Sequence, residues 1–247
     1  MSAGPVPFPA YPHEVLAVVL SVRGDTLSVL LWRRKQAPHA GRWALPGGGV
    51  EPKLRLREAL SKHLATKVDV REIAWLEQVA THSRVDRDPR GRVLATGYLA
   101  LIPPDAEPAL PDDTSWFPVA QLPRLAFDHH YFVAAAVERL RAKLSYTNVG
   151  FALAPSEFTI QRLREVVSAA LGYDVGPTNL HRVMTRRGMI EPTGERSVPG
   201  QGGGRPAALY RFRERTLEVT DPFAVLRPPK GEQRRQGGDK LTHPGHV

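Results

Sequence analysis

Cysteine is absent from the 247 residues. That removes disulfides, thiolate metal sites and cysteine nucleophiles in one step, and it is compatible with a reducing cytoplasm, where the chain is expected to work. Long apolar runs are missing too. The longest near the start, Val15–Leu20, is six residues, against roughly 20 needed to cross a bilayer, and no basic segment leads into a signal-like apolar stretch. No membrane partner is expected. Acidic residues are in deficit: 25 Asp and Glu stand against 34 Lys and Arg, a net charge of +9. Such a balance points to anionic partners, nucleic acid or nucleotides, with a merely solvated basic surface as the alternative. What the chain does have is apolar residues at 42%, enough for a buried core, and a length that fits two domains.

The pattern along the chain changes character several times. Residues 1–12 (MSAGPVPFPAYP) are proline-rich and read as a flexible leader. VLAVVLSV and TLSVLLW are strand-like runs separated by the turn Arg23-Gly24-Asp25. ATGYLALI is a further buried strand, stopped by Pro103-Pro104, and a short strand is expected around Trp116-Phe117. A helix is expected at 52–66. His129–Leu144 places Phe132, Val133, Ala136, Val137 and Leu140 at helical spacing. These elements make an α+β domain, an α/β/α sandwich over 13–145. Residues 146–157, including TNVGFALAPSE, read as a linker. A second unit follows over 158–221, and 222–247 reads as a flexible tail rich in Pro, Gly and charge.

LPGGGVEPKLRLREALSKHLATKVDV (45–70) opens like a phosphate-handling loop running into a helix. RWALPGGGVE resembles the entry to a Nudix box, the loop–helix–loop motif of hydrolases acting on nucleoside diphosphates linked to another group. In that motif, glutamates at i, i+3 and i+4 share one helix face and converge on Mg²⁺. Counted from Gly48, the motif's early Glu falls on Leu54, its Arg-Glu on Lys62-His63, its Glu-Glu on Thr66-Lys67 and its closing Gly on Asp69. Glu58 is out of register. Imidazole, hydroxyl and ammonium groups do not hold a hard cation, so no Mg²⁺ site and no catalytic residues are expected. The helix is then either a structural relic or a face on which Lys62, His63 and Lys67 meet phosphate directly, beside Gly47 and Gly48.

SRVDRDPRGRVLATGYLALIP resembles a segment of ADP-ribose-type Nudix proteins. Its Arg87 and Arg90, with Arg34 at a strand end, are candidates for phosphate or ribose; a solvated hairpin loop is the alternative. Trp43 either stacks on a base or plugs the core. In LAFDHHYFV, the adjacent His129 and His130 point in different directions. Asp128 is therefore expected to cap the helix rather than join a metal site.

The second unit has a different pattern. FTIQRLREVVSAALG puts Ile160, Leu163, Val166, Val167, Ala170 and Leu171 on one helical face, with Gly172 as its stop. VGPTNLHRVMTRRG starts a second short helix at Pro177. The pair forms a helix-turn-helix. Leu180, Val183 and Met184 face inward; Thr178, His181, Arg182, Thr185 and Arg186 face outward, beside Asn179 and Arg187, as a surface for the major groove. Two short strands, one near Met189-Ile190 and one at Ala208–Phe212, flank a glycine-rich loop with the form of a wing, to which Arg196 and Arg205 belong. Residues 177–215 hold eight Arg, no Lys and three Glu, a net +5 in 39 residues, leaving +4 for the rest of the chain.

A Nudix-like domain followed by FT-x-x-L-R-x-V, TNLHRV and GRPAALYRF resembles the NrtR group of Nudix-related transcriptional regulators of NAD metabolism, from about Val15 to Arg213. The resemblance implies a cytoplasmic homodimer that represses NAD biosynthesis or salvage genes at a palindromic double-stranded DNA operator. It also implies a nucleotide effector, ADP-ribose or a relative, in place of a cofactor. The rival expectation is an ADP-ribose-type pyrophosphohydrolase carrying an accessory nucleic-acid module; a third is nonspecific nucleic-acid handling.

Overall fold

The first strand, β1 (His13–Arg23), is buried on both faces, which is why its sequence is a nearly unbroken apolar run. It pairs antiparallel with β2 (Thr26–Arg33) through the Arg23-Gly24-Asp25 turn, and parallel with β6 (Leu94–Leu101). The remaining strands are β3 (Trp43–Ala44), β4 (Gly47–Gly49), β5 (Trp75–His82) and β7 (Thr114–Pro118). The sheet order is β3-β2-β1-β6-β5, with β4 added to β1 and β7 to β2. This is a computed structural model, and it describes residues 10–106, 108–198 and 206–221.

Period-two alternation divides β1 between two cores. Val15, Ala17 and Val19 face α1 (Leu56–Val68), packing with Leu60, Leu64 and Val68. Leu16, Val18, Leu20 and Val22 face the other side, which is covered by α2 (His129–Tyr146) and α3 (Ile160–Leu171). The expected α/β/α sandwich is the observed one. The helix expected at 52–66 occupies 56–68, and β5 has no counterpart in the sequence pattern. WLEQVATH is only partly buried along its length, and Glu77, Gln78 and His82 obscure its alternation.

Two segments depart from the sequence reading. Residues 149–154, inside the expected 146–157 linker, form a short 3-10 helix (Val149–Ala152) and its continuation. All six are buried, and Phe151 packs in the same core as Leu163, Phe212 and Phe132. The apolar content of VGFALA is therefore packing, and the segment is a joint rather than a tether. The second departure is in the leader. Its residues 1–9 lie outside the described residues, but Pro12 O accepts a hydrogen bond from Leu94 N at 2.9 Å and Arg92 lies over the Tyr11 ring. Residues 10–12 are thus anchored beside β6. The expected tail, 222–247, lies outside the described residues.

Helices α3 and α4 (Pro177–Arg186) with the hairpin β8 (Ile190–Arg196) and β9 (Ala208–Phe212) complete the chain. Thr159 caps α3 by accepting from Arg162 N, and Gly172 ends it in the left-handed region at φ 82°. Because α3 also packs on β1, β2 and α2, one apolar core runs continuously through both halves.

Candidate functional site

Asp69, the C-cap of α1, has φ 54° and ψ 25°. The closing glycine of a Nudix box needs that left-handed backbone, and aspartate is among the few other residues that tolerate it. The register counted from Gly48 is therefore the one the backbone follows. In it, the side chains at the glutamate positions do not suit a divalent cation. Glu58, the one carboxylate on α1, accepts from Arg55 N at 2.9 Å as an N-terminal cap. No group of three or more His, Asp or Glu side chains placed to hold a metal occurs among the described residues.

The three side chains of the helix expected to meet phosphate have separate duties. Lys62 pairs with Glu51 at 2.5 Å in solvent, and the His63 ring meets Gly49 O at 2.9 Å. Lys67 is different. Its Nζ donates to Gly47 O at 2.5 Å and lies 4.6 Å from the centre of the Trp32 ring. Gly47 and Gly48 let β4 pack closely on β1 and on α1. A Cβ on Gly47 would sit 2.0 Å from Val15 O, and one on Gly48 would press into the His63 ring at 2.8 Å.

Lys67 opens onto a cleft of about 420 Å³ whose walls include Glu14, Trp32, Arg34, Arg90, Phe127, His129 and Gly47–Gly49. Phe127 has φ 49°, a conformation that costs a bulky residue on the order of 1–3 kcal/mol. It places the ring beside two guanidiniums, Arg34 at 4.8 Å and Arg90 at 5.8 Å. His129 Nδ1 accepts from Leu45 N at 2.9 Å, which leaves the proton on Nε2, a buried atom with no partner among the described residues. Burial drives the His129 pKa down to about 3 against the opposing influence of Asp128, so the ring is neutral.

Lys67 and Arg34 form no ion pair with a carboxylate among the described residues; Arg34 donates to Pro38 O and Gln36 O. Burial, then Arg34, holds the Lys67 ammonium below its ordinary pKa. Burial, then Arg90, does the same to Arg34. Two cations without an ion-paired carboxylate face one cleft, with Glu14 in its wall acting on both at longer range.

Several expected residues stand elsewhere. Arg87 is not a ligand residue: its side chain is 0% exposed and is held by Glu14 at 2.7 Å and Asp128 at 2.8 Å. A buried guanidinium requires such carboxylates, and composition alone does not show which arginine in DRDPRGR goes inside. Asp128 sits at the N-cap of α2, but its carboxylate makes no capping bond; it serves Arg87 and His82 instead. Burial opposes its charge, yet those partners hold its carboxyl below the usual range. Trp43 packs on Phe117 at 4.7 Å, outside the cleft wall, and is the core plug. The wall aromatics are Trp32 and Phe127, neither singled out by the sequence pattern. Lys62 and His63 brace the loop rather than face the cleft.

On the second half, Leu180 and Met184 are buried while Thr178, Asn179, Arg182, Thr185 and Arg186 are exposed along α4. Asn179 Oδ1 accepts from Arg182 at 2.8 Å, which aligns that guanidinium, whereas Arg186 has no partner among the described residues. His181 lies edge-on to Tyr210. Arg196 donates to Pro206 O at the base of the wing; Arg205 lies outside the described residues. Arg187 turns the other way: it donates to Ser145 O at 2.9 Å and Asp221 at 2.7 Å, tying the end of α4 to the end of α2. Arg211 and Arg213 pair with Glu191, and Arg215 donates to Phe151 O. Among the described residues, the charge cluster of 177–215 thus narrows to Arg182, Arg186 and Arg196 as cations with neither a carboxylate partner nor a tie to another element of the core.

Two known families match the chain: the NUDIX domain over residues 11–136 and the NrtR DNA-binding winged helix domain over residues 150–212. The ADPR responsive transcriptional repressor of Acinetobacter baylyi is 33% identical over 228 residues, 88% of this chain and 90% of that one. The chain belongs to the NrtR family. A crystal structure of Shewanella oneidensis NrtR with a 27mer DNA superposes with TM-score 0.72 at 31% identity, covering 81% of this NrtR-family chain and 93% of that one. A MutT/nudix family protein of Enterococcus faecalis superposes with TM-score 0.67 at 26% identity, over 84% and 90% of the two chains.

Proposed function

We propose that this NrtR-family chain is a sequence-specific transcriptional repressor of NAD biosynthesis or salvage genes. It works as a cytoplasmic homodimer on a palindromic operator, with the winged helix of 158–221 reading DNA and the Nudix domain of 13–145 binding ADP-ribose or a related nucleotide without hydrolysing it. The observation that carries the reading is the face of α4. Its apolar side is locked into the core, and Thr178, Asn179, Arg182, Thr185 and Arg186 are presented together to solvent, on a single helix of the kind that enters a major groove. A twofold dimer suits recognition helices spaced about 34 Å apart, one turn of DNA. The non-hydrolytic reading is supported by α1, whose single carboxylate is spent on its own cap.

A gel-shift series on the intergenic DNA beside the chain's own gene, with and without ADP-ribose, NAD and AMP, tests the whole reading. The expected result is binding much tighter than to random DNA at equal salt, changed by one nucleotide more than the others. Equal affinity for random DNA overturns the repressor; release of AMP from ADP-ribose on incubation overturns the non-hydrolytic Nudix domain.

A further inference from the structure

The Nudix fold implies a divalent cation bridging the box helix and the diphosphate, and the donor set of this chain does not fit one. Leu54, His63, Thr66 and Lys67 stand at the carboxylate positions, and a hard cation requires oxygen ligands that none but the Thr66 hydroxyl supplies. That hydroxyl already donates to Lys62 O at 2.8 Å. We propose that the ammonium of Lys67 acts as a built-in cation, so that the cleft binds the diphosphate of its nucleotide without any metal. This rests on the effector reading above and specifies how its ligand is held.

Four observations converge. Lys67 Nζ lies over the Trp32 ring and donates to Gly47 O at 2.5 Å, in the strand β4 that pairs with β1. A carbonyl oxygen is what a bound metal would also draw on; here it holds an ammonium instead, with N–H donors left over for an anion. Arg34 adds a second cation with no ion-paired carboxylate among the described residues; Arg90, beside the same Phe127 ring, is already paired with Asp88 at 2.6 Å. His129, a residue of the cleft wall, carries a buried Nε2–H with no partner among the described residues, a donor that is costly to leave unmade. The lowered pKa values of Lys67 and Arg34 share a first cause, burial, to which a neighbouring guanidinium adds, Arg34 for Lys67 and Arg90 for Arg34. Glu14, in the same wall, offsets this in part but forms no ion pair with either and is engaged by Arg87 at 2.7 Å.

The test is isothermal titration of the full chain with ADP-ribose in EDTA and again in millimolar Mg²⁺, with inorganic pyrophosphate titrated in parallel. The expected result is a Kd equal within about twofold in the two buffers. Lys67→Met, which keeps the stem, should weaken binding at least about tenfold, roughly 1.4 kcal/mol. Lys67→Arg should retain metal-free binding, and the thermal midpoint of each variant shows that it is folded. Binding that vanishes in EDTA and returns with Mg²⁺ overturns the built-in cation but leaves the effector reading intact. Unchanged affinity in a folded Lys67→Met overturns it too. Lys67-dependent binding of pyrophosphate without binding of ADP-ribose keeps the cation and discards that effector; a chain that binds neither ligand overturns both.

Discussion

Residue by residue, what decides a role is the partner. Arg182 and Arg186 sit on the exposed face of α4, Arg182 aligned by Asn179 and Arg186 free. Arg186→Ala is expected to cost about 1–3 kcal/mol on the operator and much less on random DNA if it reads a base; fluorescence anisotropy with a salt series checks this. Equal loss on both sequences with a shallower salt slope would make it a phosphate contact. His129 gives a pH prediction. Its imidazole takes a proton near pH 6.5 when unfolded but only near about 3 when folded. Between those values the unfolded chain holds more protons, so this contribution to stability is complete above about pH 6.5 and is lost as pH falls toward 3, by up to about 1.4 kcal/mol per pH unit. Asn at this position offers Oδ1 where Nδ1 accepts from Leu45 and does not titrate. The loss of urea midpoint between pH 7 and 5 should therefore be smaller in His129→Asn than in the native chain; an equal loss would assign the acid sensitivity to other groups.

At the scale of elements, the segment between the domains is the revealing case. TNVGFALAPSE has the small residues and proline of a tether, and its Val, Phe and Leu look incidental in so short a stretch. Once α2, α3 and β9 are assembled they enclose it, and Phe151 is 1% exposed. Phe151→Ala is expected to lower stability by about 3–5 kcal/mol, measured by urea unfolding; a loss under about 1 kcal/mol would restore the tether. The opposite holds for α3 and α4, whose boundaries follow from a Thr cap, a Gly stop and a Pro start that act locally and so are visible in sequence. β5 is hidden in the sequence because a half-buried, partly polar strand is defined by its neighbour β6 rather than by its own pattern.

Across the whole molecule, α2 spans the distance between the two candidate sites. Its first residue, His129, lines the nucleotide cleft, and Ser145 O in its last turn accepts from Arg187 at the end of α4. An effector alters operator affinity only if it favours one arrangement of the two halves, and this helix is a physical link between them. Arg187→Ala is expected to lower stability by about 1 kcal/mol, since the Asp221 pair is partly screened. It should also shrink the change in operator affinity caused by ADP-ribose while leaving ADP-ribose binding itself intact. Paired gel shifts and calorimetry check this, and an undiminished response would mean that the signal passes elsewhere.

The sequence by itself determined the two-part architecture, the loss of the carboxylates from the box and the polarity of the recognition helix. Each of these is written in periodicity, spacing and local capping, which act over a few residues. Only the tertiary structure decided which cations are free. Arg87 and Arg187 look no different from Arg182 and Arg186 in the sequence. Glu14, Asp128 and Asp221, distant in the chain, neutralise the first pair, whereas among the described residues Lys67 and Arg34 in the cleft form no ion pair with a carboxylate. Long-range charge pairing and burial are properties of the folded chain, and they turn a general excess of basic residues into two specific surfaces.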